Sequence, residues 1–263
     1  MRNVDLIELA NNPDLISGIY NYCDRWCERC PFTTRCLVYA TEKADEDDDP
    51  ASRDIQNAAF WQKLHSIFKQ TKEMIVSWAQ ENGVDLESAV ADTEVQQRET
   101  QHKKARKNPV AIAAESYARN VNKWFETELA PIETISDTAS ELQAAELEGE
   151  EDVNDAAEVI RWYQYLIAAK IMRGLFSDCD EDEETDSEYP KDSDGSVKVA
   201  LIAIDRSISG WRMMQMALPE KANSIMPLLL ELETLRLQTE GRFPAARDFL
   251  RPGFDEVGLD VLQ

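Results

Sequence analysis

Four of the five cysteines are the residues best suited to chemistry, because they lie within fourteen positions of one another. They are Cys23, Cys27, Cys30 and Cys36, with the spacing C-x3-C-x2-C-x5-C. If a helix carries the first three, positions i, i+4 and i+7 place their thiols on one face, and Pro31 ends the helix so that the fourth folds back. Thiolates are soft ligands that suit zinc or an iron–sulfur cluster. The spacing therefore predicts a four-cysteine metal site and leaves both metals open.

The surroundings of the thiols are compatible with such a site. Aromatic side chains that would exclude water from it are Tyr20, Tyr22, Trp26, Phe32 and Tyr39. Arginines at positions 25, 29 and 35 would offset the charge of a thiolate-bound metal. The same aromatic residues would also serve as a packing shell, so four incidental buried thiols are the alternative. The fifth cysteine, Cys179, stands alone among acids that disfavour its thiolate.

The half-motif Cys27-Glu-Arg-Cys30-Pro-Phe-Thr-Thr-Arg-Cys36 resembles half of the cluster loop of endonuclease III-type DNA glycosylases, C-x2-C-P-x4-C. It is also similar to the C-x2-C-x5-C cluster ligands of RecB-type nucleases. The resemblance implies that these three cysteines bind a [4Fe–4S] cluster, with Cys23 as the fourth ligand, and it favours iron–sulfur over zinc. The first gap departs from the glycosylase pattern, which has six residues there. The resemblance concerns ligand chemistry only.

The chain also resembles a family of uncharacterised bacterial all-helical proteins. The shared stretches are Tyr-Cys-Asp-Arg-Trp-Cys-Glu-Arg-Cys-Pro-Phe at 22–32 and Pro-Lys-Asp-Ser-Asp-Gly-Ser at 190–196. This resemblance implies a helical fold and carries no activity.

Two predicted helices, 155–176 and 196–217, are apolar around most of their circumference but carry charges in their middles. Such helices belong in a core, where an unpaired ion is costly. The residues concerned are Glu158, Arg161, Tyr165, Lys170, Lys198, Asp205 and Arg206. We expect Arg161 and Asp205 to be mostly buried near opposite charges. The set forms either an internal ion-pair network or a polar pocket between the two helices, whose ligand would be an anion because cations outnumber acids.

The net charge of −23 lies mainly in three acidic stretches, 42–54, 131–158 and 178–194. Such runs are typical of solvated connectors, and their field disfavours nucleic acid. No apolar run of membrane-spanning length, phosphate-binding glycine loop or serine-hydrolase elbow occurs in the sequence, and two histidines are too few for a di-iron bundle. We therefore expect a cytoplasmic protein without a signal peptide, whose partner is a protein or a small anion rather than a nucleic acid or a membrane.

Apolar residues recur every three or four positions, and no alternating run competes for a strand, so we predict an all-α fold. Residues 1–41 are predicted as a cysteine-rich metal-binding cap, 42–54 as an acidic linker and 55–263 as a helical bundle. Acidic inserts are placed near 131–153 and 178–194. Within this scheme, helices are expected over about 13–30 and 55–81, and Pro227 is expected to kink or restart the last leucine-rich helix.

The leading function predicted is a cysteine-ligated metalloprotein with a binding, redox or structural role. The alternative is an enzyme or small-anion-binding protein that uses the charged pocket, with a purely structural metal. An acidic adaptor that acts through its loops is a third class. No Cys-His or Ser-His-Asp set can be assembled from the sequence, so no catalytic residue is assigned.

Overall fold

The computed structural model describes residues 12–44, 52, 54–86, 92–129, 150–180 and 191–255. Every residue with regular secondary structure in these ranges is helical, so the predicted all-α class is confirmed. Most of the predicted acidic linker and inserts lies outside the described residues. Among the helices of the described chain, none is long and apolar enough to cross a membrane.

The described chain contains seven α-helices. They are α1 (Leu37–Ala44), α2 (Ala58–Asn82), α3 (Asp92–Arg106), α4 (Pro109–Trp124), α5 (Glu150–Asp180), α6 (Asp192–Ala217) and α7 (Ala222–Arg242). Single turns of 3-10 helix lie at Ile19–Tyr22, Cys27–Arg29, Thr33–Arg35, Pro219–Lys221 and Ala246–Asp248. A π-helical turn, Phe125–Leu129, continues α4.

Local capping chemistry sets the ends of two helices, α2 and α4. The side chain of Asn57 accepts a hydrogen bond from the Ala59 amide at the start of α2, and Gly83 ends this helix in the left-handed conformation, with φ 67°. At the start of α4, Asn108 accepts from the Val110 amide at 2.9 Å, and Pro109 occupies the first turn.

The chain divides into two compact units. The first unit comprises Met1–Ser17 and Cys27–Thr100, and the second comprises Gly18–Trp26 and Gln101–Gln263. The first therefore holds α1, α2 and the start of α3, whereas the second holds α4 to α7. The predicted boundaries at 41/42 and 54/55 stay predictions.

The second unit is built around a four-helix bundle. Helix α5 packs along α6, α6 along α7, α7 against α4, and α4 against α5, so the four helices close a ring. Its interior holds large side chains with almost no exposure, among them Tyr117, Tyr163, Ile167, Leu201 and Trp211. At its centre, Trp211 Nε1 donates to the Tyr117 hydroxyl oxygen at 3.0 Å, which satisfies a buried donor.

Helix α6 is buried over most of its circumference, because the first and last segments of the second unit cover part of the face that α5 and α7 leave free. The turns Ile19–Tyr22 and Ala246–Asp248 both pack on α6. Gly210 allows close packing of α5, since an added Cβ would lie 3.1 Å from Ile160 Cγ1. Helix α6, which is apolar around most of its circumference, therefore fits into a bundle of four helices.

One local prediction is wrong, and another is wrong in one of its alternatives. The segment expected as a helix over 13–30 forms separate 3-10 turns, because Gly18 and Arg25 both adopt positive φ, 74° and 60°, and Cys23 is extended. The i, i+4, i+7 arrangement of its thiols is therefore absent. Helix α7 does not restart at Pro227, which lies inside it, and the alternative of a kink stays a prediction.

Candidate functional site

Three of the predicted metal ligands lie in the first unit, on two consecutive tight turns. Cys27 opens the first turn, and the amide of Cys30 donates to its carbonyl oxygen at 3.2 Å. Cys36 follows the second turn, and its amide donates to Thr33 O at 3.3 Å. All three cysteines are half-buried.

Backbone hydrogen bonds hold this segment in place within its unit. The Ile16 amide donates to Arg35 O at 2.9 Å, and Arg35 Nε donates to Asp14 O at 3.3 Å. The residues before the cysteine turns are thereby tied to the residue that precedes Cys36.

The sulfur of Cys30 accepts a backbone hydrogen bond. The Phe32 amide donates to Cys30 Sγ at 3.4 Å. Hydrogen bonds to cysteine sulfurs are one of the means by which a protein orients and tunes a metal–thiolate centre.

The cysteine turns do not form a preassembled ligand set. Among the residues that the structure describes, no group of three or more His, Cys, Asp or Glu side chains is arranged to hold a metal ion. Metal binding by Cys27, Cys30 and Cys36 therefore stays a prediction.

Cys23 lies in the second unit, and its thiol donates to Tyr20 O at 3.5 Å. Burial raises the pKa of this thiol above its ordinary value, while the Arg25 amide and the positive charge of Lys170 act in the opposite direction. Burial likewise lowers the pKa of Lys170, whose ammonium group donates to Asn21 O at 3.4 Å.

Asp24, the next residue, is the main anchor of Gly18–Trp26 on the bundle. Its Oδ2 accepts from the Tyr163 hydroxyl at 2.7 Å and pairs with Arg206 Nη1 at 2.7 Å. Its own carbonyl oxygen accepts from Trp162 Nε1 at 3.1 Å. Burial, together with the hydrogen bond to this carboxylate, raises the pKa of Tyr163 to about 12. One residue therefore ties the segment to both α5 and α6.

Aromatic packing completes this anchor. Trp26 is buried and stacks on Trp162, with ring centroids 4.9 Å apart and an angle of 16° between the rings. It also meets Tyr163 edge to face at 5.8 Å. The left-handed backbone of Arg25 lies between Asp24 and Trp26, and it lets the Trp26 amide donate to Asp24 Oδ1 at 3.2 Å.

A second anchor lies at the start of α6. The Tyr22 hydroxyl donates to Asp192 Oδ1 at 2.9 Å, and Arg173 pairs with the same carboxylate at 3.0 Å. Burial and the bond to Asp192 raise the pKa of Tyr22 to about 12. The predicted packing role of the aromatic residues thus applies to Tyr22 and Trp26, which bind the bundle.

The expectation that Arg161 is buried is wrong. Helix α5 turns Ile160, Tyr163 and Ile167 into the core, so Arg161 lies on the outer side, exposed, with its guanidinium carbon 4.4 Å from the centroid of the Phe125 ring. Glu158 and Tyr165 are exposed on the same helix. The buried stripe of α5 is narrower than its composition suggests.

The other charged residues of the predicted pocket pair mainly with residues in the first and last segments of the second unit. Asp205 is half-buried rather than mostly buried, but it lies near opposite charges as expected: it pairs with Arg247 Nη1 at 2.6 Å and with Arg236 Nη1 at 3.8 Å. Lys198 Nζ donates to the carbonyl oxygen of Arg247. With Arg206 bound to Asp24 and Lys170 to Asn21, these groups are used in pairing, which favours the ion-pair interpretation over a shared pocket.

Most of the partners in these anchors could not be identified from the sequence. Asn21, Asp24, Trp162 and Tyr163 carried no metal or catalytic pattern, and neither did Arg247, which lies in the turn Ala246–Asp248. The only available signal was the dense mixture of aromatic and charged residues around Cys23, because every one of these contacts joins residues far apart in the chain.

Comparisons of the chain with protein-family models, with curated proteins and with solved structures found no match. The resemblances described above therefore depend on the quoted stretches alone.

Proposed function

We propose that the protein is a cysteine-ligated metalloprotein, in which the thiolates of Cys27, Cys30 and Cys36 bind a metal centre. A [4Fe–4S] cluster is favoured over zinc. The observation that carries the proposal is the placement of these cysteines: they are half-buried on two consecutive tight turns, and one sulfur accepts a hydrogen bond from a backbone amide.

The donor set supports thiolate chemistry. Three soft sulfur donors lie within ten residues, and soft donors select zinc or iron–sulfur centres over hard cations such as Mg²⁺. The hydrogen bond from the Phe32 amide to Cys30 Sγ is of the kind that orients thiolate ligands around a metal. Cys23 is the fourth ligand that the sequence predicts, and the variant Cys23→Ser tests that assignment.

Binding requires a local rearrangement, because the described thiols are not grouped as ligands. Metal-binding free energy is then also folding free energy for the segment that carries the ligands. The expected role is therefore at least structural: the centre would order residues 12–44 in a reducing compartment such as the cytoplasm. A redox role requires the iron–sulfur form.

The first experiment compares the wild type with Cys30→Ser and Cys179→Ser after anaerobic purification. We expect a stoichiometric metal in the wild type and in Cys179→Ser, which keeps the four-cysteine motif, and loss of the metal in Cys30→Ser. A broad visible absorbance with iron and sulfide identifies the cluster, and zinc without that absorbance identifies the alternative. Wild-type protein that holds neither metal after anaerobic reconstitution contradicts the proposal.

The second experiment locates the effect by hydrogen exchange. Loss of the metal in Cys30→Ser should raise exchange in residues 12–44 and leave the buried amides of α4 to α7 unchanged, since these helices have an apolar core of their own. Cys179→Ser serves again as the control. A uniform rise across the bundle would mean that the metal segment is not a separate structural element.

A further inference from the structure

Helix α2 carries a regular heptad pattern of apolar residues. The positions spaced alternately by three and four are Trp61, Leu64, Phe68, Thr71, Ile75 and Trp78. This is the a/d spacing of a helix that pairs with another helix along a left-handed seam. Ile67 and Met74 widen the same stripe.

The stripe is exposed, although its composition is that of a core. Phe68 is 65% exposed, Trp78 57% and Trp61 54%, and Ile67, Met74 and Ile75 are exposed as well. Within the first unit, neither α1 nor the described start of α3 packs along α2. A contiguous apolar surface of this kind marks an interaction site.

The area of the stripe is close to that of a stable interface. Six large side chains, half exposed or nearly so, amount to roughly 700 Å² per chain, against ~800 Å² per partner in a standard protein–protein interface. The helix is about 37 Å long, which allows side-by-side pairing over its whole length.

The charges of α2 favour an antiparallel copy of the same helix. Lys63, Lys69 and Lys72 lie in its first fifteen residues, and Glu73 and Glu81 lie in its last ten. A parallel pair superimposes every like charge of α2, whereas an antiparallel pair centred between positions 69 and 70 separates Lys63 and Glu81 from their copies and brings only Lys69 and Lys72 of the two copies close together.

We propose that the protein forms a homodimer through α2, with the two copies of this helix antiparallel. In this register the heptad positions match in pairs: Trp61 faces Trp78 of the second copy, Leu64 faces Ile75, and Phe68 faces Thr71. An anionic membrane surface is the other occupant that suits an amphipathic helix with tryptophans and lysines. The net charge of −23 disfavours it, because like charges repel.

The test is the molar mass of the full chain by light scattering over a range of concentrations. The wild type should approach twice 29.9 kDa as concentration rises. The double variant Phe68→Ser/Trp78→Ser should remain at the monomer mass. The matched control is Leu230→Ser/Leu237→Ser, which removes two equally exposed apolar residues seven positions apart on α7 and should still dimerise. Circular dichroism checks that each variant keeps its helix content.

Orientation is read from a photo-crosslinking amino acid placed at position 61. Cross-links to the region of residue 78 support the antiparallel pair, and cross-links from 61 to 61 contradict it. A wild type that stays monomeric at ~100 µM, or a dimer that persists in Phe68→Ser/Trp78→Ser, overturns the proposal. A monomer that binds anionic vesicles through this stripe also overturns it, in favour of a membrane occupant.

Discussion

Asp24 shows how much a single residue contributes to the architecture of the second unit. Its carboxylate binds Tyr163 and Arg206, and its carbonyl oxygen binds Trp162, so contacts to two helices pass through one position. Tyr163 is buried, which makes the loss of its acceptor more costly than the loss of a surface partner. Cys23 is adjacent, and the anchor therefore determines where this thiol lies.

Replacing Asp24 by alanine should lower the free energy of unfolding by about 2 kcal/mol, because a buried hydroxyl and a guanidinium lose a charged acceptor. The fluorescence of Trp26 should shift towards that of a solvated indole. Urea denaturation and emission spectra measure both effects. Glu220→Ala, at an exposed carboxylate of the same unit, is the control and should change stability little. Equal losses in the two variants would show that Asp24 is not an anchor.

At the scale of the element, the start of α6 depends on a glycine for tertiary reasons. A Cβ added at Gly195 would lie 2.4 Å from Tyr22 Cε1 and 2.6 Å from Phe249 Cζ. These two rings meet edge to face at 4.7 Å, so neither moves freely. Gly241, near the end of α7, has nothing within 4 Å of an added Cβ.

The two glycines should respond to alanine with opposite signs. Gly241→Ala should stabilise the protein by about 0.5–1 kcal/mol, because alanine loses less backbone freedom in a helix. Gly195→Ala should destabilise it by about 1–3 kcal/mol, since the rings must be displaced from a packed site. Thermal and urea unfolding of the two variants measure the difference. A stabilising Gly195→Ala would mean that the Tyr22 and Phe249 rings are loosely held.

At the scale of the whole molecule, charge opposes compactness. The chain carries 51 acidic and 28 basic residues, and the acids cluster in stretches such as 178–194. A net charge of −23 produces self-repulsion that folding must overcome and that salt screens.

Raising the salt concentration from about 0.02 M to about 0.2 M should therefore raise the melting temperature by about 2–4 °C at pH 7. A variant in which the seven acids between positions 180 and 188 become their amides should melt higher at low salt and respond less to added salt. Circular dichroism melts of both proteins compare the two slopes. Identical salt responses would show that local ion pairs, rather than net charge, control the effect.

Local chemistry decided what was predictable from the sequence. The all-α class and the end of α2 near position 81 depend on neighbours within a few positions, whereas the start of α2, expected at 55, lies at Ala58 after the Asn57 cap. The candidate site was predictable only as a set of residue types and spacings. Its metal stays a proposal, because spacing specifies which donors are available and not where their sulfurs lie.

Only the tertiary structure decided the conformation of residues 18–26 and the direction in which the charged helices face. Asp24 and Arg206 are 182 positions apart. Their contact requires turns in this segment, where the sequence predicted a helix over 13–30. Arg161 faces outward because the ring of four helices needs a narrow apolar stripe from α5, which helical periodicity alone does not locate. The apolar stripe of α2 has the pattern of a core helix and yet is exposed. Whether such a stripe is buried depends on whether another element packs against it, and the tertiary fold decides that.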